Sequence, residues 1–207
     1  MDQLLLTPVT SLLIAANVIA SVFALSNTPF MDKNLFHVGP ILERKEWHRM
    51  VTSGFLHGGL LHLFVNMYVL FMFGGYIEQK MGTTGYLVVY FAALLGGNAW
   101  ALLENKTKPS YRALGASGAT SGIVMAFILF RPFEQLMIFP IPFFMPAVLI
   151  GVLFLVGSAI LAQRENKTIG HEAHLGGALA GILATILMDP NALPNFSNQV
   201  AQALGGS

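Results

Sequence analysis

Six apolar runs, at 8–25, 60–77, 85–103, 115–130, 143–162 and 171–188, take up most of this 207-residue chain. Each approaches the roughly 20 residues that span the hydrocarbon of a bilayer. Lipid offers a backbone no water to bond, so a spanning segment must satisfy its own N–H and C=O groups, as a helix does. Polar or Pro-rich stretches at 26–59, 79–84, 104–114, 131–142 and 163–170 separate the runs. The expectation is an all-α, multi-pass membrane protein with one six-helix domain over 1–189. A polar tail at 190–207, without a clear pattern, is expected to be disordered.

Composition excludes several classes. The chain is 55% hydrophobic and only 10% charged, whereas soluble domains carry about 25% charged residues. Its net charge is +1; without a basic run or an aromatic platform, nucleic acid is not an expected partner. The absence of cysteine removes thiolate catalysis, disulfides and Cys-based zinc sites. Val22-Phe23-Ala24 imitates a signal-peptide cleavage site, but only Asp2 is charged before it, so the first run reads as a retained span. No internal repeat is visible, which argues against an inverted-repeat transporter. The first loop, about thirty residues and rich in aromatics and His, is long enough to be functional or partly structured.

Polar side chains inside spans are costly and by default face the bundle interior and mark function. Residues 115–122 read Gly-Ala-Ser-Gly-Ala-Thr-Ser-Gly and open the fourth run. Ser117 stands there at a helix start, among unpaired N–H groups and between glycines too small to cover its hydroxyl. His174 opens the sixth run in Ala-His-Leu-Gly-Gly, and His62 with Asn66 stands at i, i+4 in the second. Consecutive spans alternate direction, so these four residues lie toward one leaflet. At 1.5 Å per residue, Ser117 is about 21 Å from Arg131 and His174 about 22 Å from Asp189. With those charges as interface markers of a ~30 Å core, both groups sit roughly 8–9 Å below the opposite surface. His62 and Asn66, counted back from Glu78, fall at about 6 and 12 Å.

A hydroxyl and an imidazole at one depth read as a nucleophile, Ser117, and its base, His174. Asp2, Asp32 and Asp189 all lie outside the spans, which favours a dyad over a triad. His62, Asn66 and the Ser117 N–H would hold the oxyanion. Ser117 also fits a packing seam, because Gly118-x-x-x-Gly122 is a helix-contact pattern, and a lone buried His often only fills a core. Their joint occurrence favours chemistry. Gly177-x-x-x-Gly181 reads as packing that lets the His174 helix approach its neighbour. Ser121, one turn deeper than Ser117, ranks second as nucleophile. His171-Glu172-Ala173-His174 is one residue short of the His-Glu-x-x-His zinc pattern, and His57 and His62 lack the Glu, so no metal is expected. Glu78, in Gly74-x-x-x-Glu78-x-x-x-Gly82, reads as a structural carboxylate bonding loop backbone.

Of the Lys and Arg residues, Lys33, Arg44, Lys45, Arg49, Lys106, Lys108, Arg112, Arg164 and Lys167 lie on the Ser117 side, against Lys80 and Arg131 opposite. The positive-inside rule places the richer side in the cytoplasm.

At these residues the chain resembles the rhomboid family of intramembrane serine proteases. The match runs from about Trp47 to Gly181, in order and spacing. It comprises His62-x-x-x-Asn66, the Gly74/Glu78/Gly82 pattern, Gly115-Ala-Ser117-Gly118, and Ala173-His174 followed by Gly177 and Gly181. The resemblance implies a rhomboid-like six-transmembrane-helix bundle, without cofactor, in which Ser117 attacks a peptide bond in a transmembrane segment of another protein. His174 would be general base and then general acid, and His57 would line a water-accessible cavity. A mobile fifth helix at 143–162, entered through Pro140, Pro142 and Pro146, would be the substrate gate. The resemblance further implies a bacterial plasma membrane with the site toward the non-cytoplasmic side, against the Lys/Arg count; some basic side chains would then snorkel to headgroups.

Two features depart from the family pattern. Ser121 stands where many members carry an aromatic that stacks on the catalytic imidazole, so support for the His174 ring must come from elsewhere. The usual Trp-Arg pair of the first loop is split as Trp47-His48-Arg49. The alternative is a catalytically inactive rhomboid-like protein that binds transmembrane helices; such relatives generally lack the Ser or the His. A transporter or channel would need ionisable groups along a path through the bilayer, whereas these occupy one leaflet.

Overall fold

The computed structural model describes residues 7–137, 143–162 and 171–205. Pro140, Pro142, the loop at 163–170 and the His171 side chain lie outside the described residues. The elements, in order, are α1 (Pro8–Ser26), α2 (Thr28–Asn34), β1 (Phe36–His37), α3 (Val38–Glu43) and α4 (Arg49–Thr52). A 3-10 turn (Ser53–Phe55) leads to α5 (Leu60–Val69), a π-helical turn (Leu70–Gly74) and α6 (Gly75–Asn105). Then come β2 (Arg112–Ala113), α7 (Ser117–Phe130), β3 (Gln135–Met137), β4 (Phe144–Pro146), α8 (Ala147–Ala162), α9 (His171–Met188) and α10 (Ala192–Ala203).

By length and composition, two helical stretches can cross a membrane, Pro8–Ser26 and Leu60–Asn105. Glu172–Met188 and Ala192–Ala203 count as a third if taken together across their 105° bend; Ser117–Phe130 and Ala147–Val156 are apolar but shorter. Helix length alone therefore gives two or three spans where six are expected. The 46-residue stretch is not straight, however. Gly82 sits at φ +70°, and the Tyr86 hydroxyl lies 2.8 Å from where a Cβ on Gly74 would stand. Twelve residues of straight helix would part those positions by about 18 Å. The chain doubles back at Gly82, where positive φ suits glycine.

In lipid, helices gain little from apolar contact with each other, and polar side chains act as the glue. One stripe of α1 does this through Thr10, Asn17 and Ser21, all buried. The Glu78 carboxylate accepts the Val9 N–H (3.0 Å), the Thr10 N–H (2.8 Å) and the Thr10 hydroxyl (2.7 Å). These are orphan donors of the first turn, met by a negative charge at the positive end of the helix dipole. Asn17 reaches Tyr90 at 3.4 Å, and Ser21 reaches His57 at 2.8 Å.

The first loop is folded, not slack. Arg49, only 4% exposed, donates to Glu46 Oε2 (2.6 Å) and to the Asp32 and Leu35 carbonyls (2.8 Å each). One of the nine basic residues counted toward orientation is thus committed to holding the loop together. β1 pairs antiparallel with β2, Phe36 opposite Ala113 and His37 opposite Arg112, which ties the loop to the segment just before Ser117. The Asn98 amide on α6 anchors it from below through the Met50 carbonyl (2.7 Å) and the Ser53 hydroxyl (3.2 Å).

A seam of small residues joins α6, α7 and α9. A Cβ on Gly177 would meet the Gly118 carbonyl, one on Gly181 would meet the Gly122 Cα, and one on Gly122 would meet the Ala93 Cβ. Backbones this close leave room for no side chain larger than hydrogen at those points. The polar tail, expected to be disordered, instead carries α10. Its Ala192 is buried, Phe196 packs on the main core, and Gln199 donates to the Phe130 carbonyl at 3.4 Å. An apolar edge recurring at helical spacing among Asn and Gln is what gives this polar segment a surface to dock by.

Candidate active site

Ser117 is the first residue of α7 and is half-buried, as are His62 and His174. The turn before it is set by Gly115, whose φ is +125° and whose N–H donates to the Ser53 carbonyl at 3.0 Å. A Cβ at Gly115 would fall 2.9 Å from His62 Nε2 and 3.8 Å from Ser117 Oγ. A side chain there would collide with the His62 ring, so glycine at 115 lets that imidazole lie against the turn that leads into Ser117.

Asn66 lies one turn below His62 and is 5% exposed. Its Nδ2 donates to the His62 carbonyl at 2.9 Å, and its Oδ1 accepts from the Thr120 hydroxyl at 3.2 Å. The first bond fixes which end of the amide is the donor, because a carbonyl can only accept, and Nδ2 keeps a second hydrogen. Sequence reading missed Thr120; a hydroxyl one turn after Ser117 was the available signal. The Ser121 hydroxyl donates to the Ser117 carbonyl at 2.6 Å, a bond to its own helix backbone that occupies its proton.

His57 is fully buried. Both of its nitrogens are engaged. Nε2 accepts the Ala116 N–H at 3.3 Å, and Nδ1 lies 2.8 Å from Ser21 Oγ, which itself donates to the Phe55 carbonyl at 3.0 Å. Only a neutral ring with its proton on Nδ1 satisfies all three bonds. In its loop between the 3-10 turn and α5, burial pushes the His57 pKa down to about 4, with the His62 imidazole adding to the effect. Those two rings meet edge to face at 5.0 Å. His57 thus holds the backbone leading into Ser117.

His174 lies one turn before Gly177 on α9. The α7–α9 contact brackets His174 and begins one residue after Ser117: Gly118 packs on the Ala173 carbonyl, and Gly177 packs on Gly118. Glu172, 2% exposed, accepts from Asn105 Nδ2 at 3.2 Å and ties the start of α9 to the end of α6. The His174 ring is stacked on Phe154 of α8, with centroids 5.9 Å apart and planes 23° from parallel. Among the described residues no group of three or more His, Cys, Asp or Glu could hold a metal ion.

The fold and site define a helical membrane protein with polar side chains at the starts of α5, α7 and α9 and glycines where α7 and α9 meet. A model of the Rhomboid domain matches residues 44–191, and the chain belongs to the rhomboid family. It is similar to RHOMBOID-like protein 12, mitochondrial, of Arabidopsis thaliana (33% identity, covering 76% of this chain and 51% of the relative). It is also similar to the putative rhomboid protease YdcA of Bacillus subtilis strain 168 (30% identity, 69% and 67%). A third relative is the inactive RHOMBOID-like protein 8 of Arabidopsis thaliana (32% identity, 51% and 31%). The chain spans about half the length of the mitochondrial relative.

Proposed function

We propose that this chain is an intramembrane serine endopeptidase that hydrolyses peptide bonds in or near transmembrane segments of other membrane proteins. It crosses the bilayer six times, with the Leu60–Asn105 stretch contributing two passes through its reversal at Gly82. Ser117 Oγ attacks the scissile carbonyl carbon while His174 takes its proton. The carbonyl oxygen becomes an oxyanion held by His62, the free Asn66 N–H and the Ser117 backbone N–H. The C–N bond then breaks, His174 returns the proton to the leaving amine, and water releases the acyl group from Ser117 by the reverse steps.

The observation that supports this reading is the backbone-tight α7–α9 contact that begins next to Ser117 and brackets His174, with the His62 ring against Gly115 beside it. A site below the membrane surface suits a substrate helix that must unwind before attack, because a hydrogen-bonded helical carbonyl is not accessible. By its resemblance, the chain sits in a bacterial plasma membrane with the site toward the non-cytoplasmic side, and α8 is the substrate gate. The test is incubation of the purified protein with model transmembrane substrates beside Ser117→Ala. The wild type should cleave and take up a fluorophosphonate, and the variant should do neither while remaining folded. Cleavage surviving in Ser117→Ala refutes the assignment.

The similarity to a relative named inactive supports a second reading, a helix-binding protein without hydrolysis. Ser117 and His174, both present here, weigh against it. Substrate binding by a wild type that never labels would select it.

A further inference from the structure

The imidazole of His174 needs a fixed plane to act as a base, and the family pattern would supply it from position 121. Here Ser121 turns its hydroxyl into the backbone of α7. The flat surface beside His174 comes instead from Phe154, three residues after Gly151 on α8. α8 lies against α7 at Gly151: a Cβ there would stand 2.6 Å from Ile128 Cδ1 and 3.5 Å from Met125 Cε, both ends of flexible side chains. Among the described side chains of α8, Leu149, Val152, Leu153 and Val156 are exposed, whereas Ala147, Val148, Phe154 and Leu155 pack on the main core. Phe154 therefore belongs to the inward edge of α8, opposite its exposed face.

We infer that Phe154 is a positioning residue for His174, fixing the plane of the imidazole by stacking from α8, so that the base is aligned only while α8 is seated against α7. The inference rests on the protease reading above. Two rings 4.5–7 Å apart and offset-stacked attract one another beyond their buried area, and the stack removes rotation about the imidazole's last torsion. Apolar side chains of similar bulk keep the packing but lose the flat face. Carrying this face on α8 makes the geometry of the base depend on a helix other than its own.

The test compares Phe154→Leu and Phe154→Met with Phe154→Tyr. The first readout is the pH profile of Ser117 labelling by a small fluorophosphonate. Leu and Met should slow labelling about three- to tenfold, and Tyr should keep it within about twofold. With a model substrate, the loss should fall on kcat and leave KM unchanged. Ring-current shifts on the His174 ring protons, read by NMR in detergent micelles, should be present in wild type and Phe154→Tyr and absent in Leu and Met. Labelling of Phe154→Leu and Phe154→Met at the wild-type rate, or a wild type without the ring-current shift, overturns the inference alone. A wild type that neither labels nor cleaves overturns the protease reading, and this inference with it.

Discussion

Ser117 is held from two sides by different physics. Toward α9 the contact is bare backbone: Gly118 and Gly122 of α7 pack on Gly177 and Gly181 with no side chain between them. Toward α1 and the first loop the contact is a chain of hydrogen bonds, from Ser21 through His57 to the Ala116 N–H, with Ser53 holding the Gly115 N–H. The seam sets distance, because van der Waals contact between backbones cannot be adjusted by a rotamer. The bonded side sets orientation, because each bond has a direction. The catalytic pair proposed for Ser117 and His174, contributed by helices distant in sequence, needs both.

The sharpest way to break this comparison is to fill the seam. Gly177→Leu drives carbon into the Gly118 carbonyl, which has no rotamer to escape by. It should abolish labelling and cleavage and lower thermal stability by about 3 kcal/mol. Gly151→Ala meets only the ends of Ile128 and Met125 and should retain both activities. An active Gly177→Leu protein would show that the seam does not set the site.

On the bonded side, Asn66→Ala should lower kcat about 10²-fold, the cost of one oxyanion donor. His57 predicts a pH effect of definite sign. Its ordinary pKa of 6.5 falls to about 4 in the fold, so between these values the unfolded chain binds the proton first. Stability should be full above pH 6.5 and fall by about 3 kcal/mol as pH drops to 4. Thermal unfolding in detergent should follow that course, and His57→Gln should flatten it. The smallest effect is expected of Thr120→Val, which frees the Asn66 amide to rotate; kcat should fall about two- to tenfold with KM unchanged.

Much of the fold was legible because membrane helices obey local rules. Run length marked the helical segments, and the spacing of Gly177 and Gly181 marked a surface made for close approach. Ser117, His174, His62 and Asn66 stood out because a polar group is conspicuous in an apolar run. Less legible were the groups whose role depends on a distant partner. The bonds of His57 could not be read from sequence, because its partners, Ser21 and Ala116, belong to other segments. The tail at 190–207 read as structureless because its few apolar residues mean nothing until the end of α7 offers them a surface.

The amino-acid order, taken alone, determined that this chain forms apolar helices suited to lipid and which polar groups those helices carry. Both follow from periodicity and transfer free energy, which act over a few neighbouring residues. Tertiary structure decided the rest: the reversal at Gly82, the side-chain partner of each hydroxyl and amide, and the placing of Phe154, not position 121, beside the His174 ring. Those outcomes depend on how helices dock, and docking is settled by shape and hydrogen bonding between residues far apart along the chain.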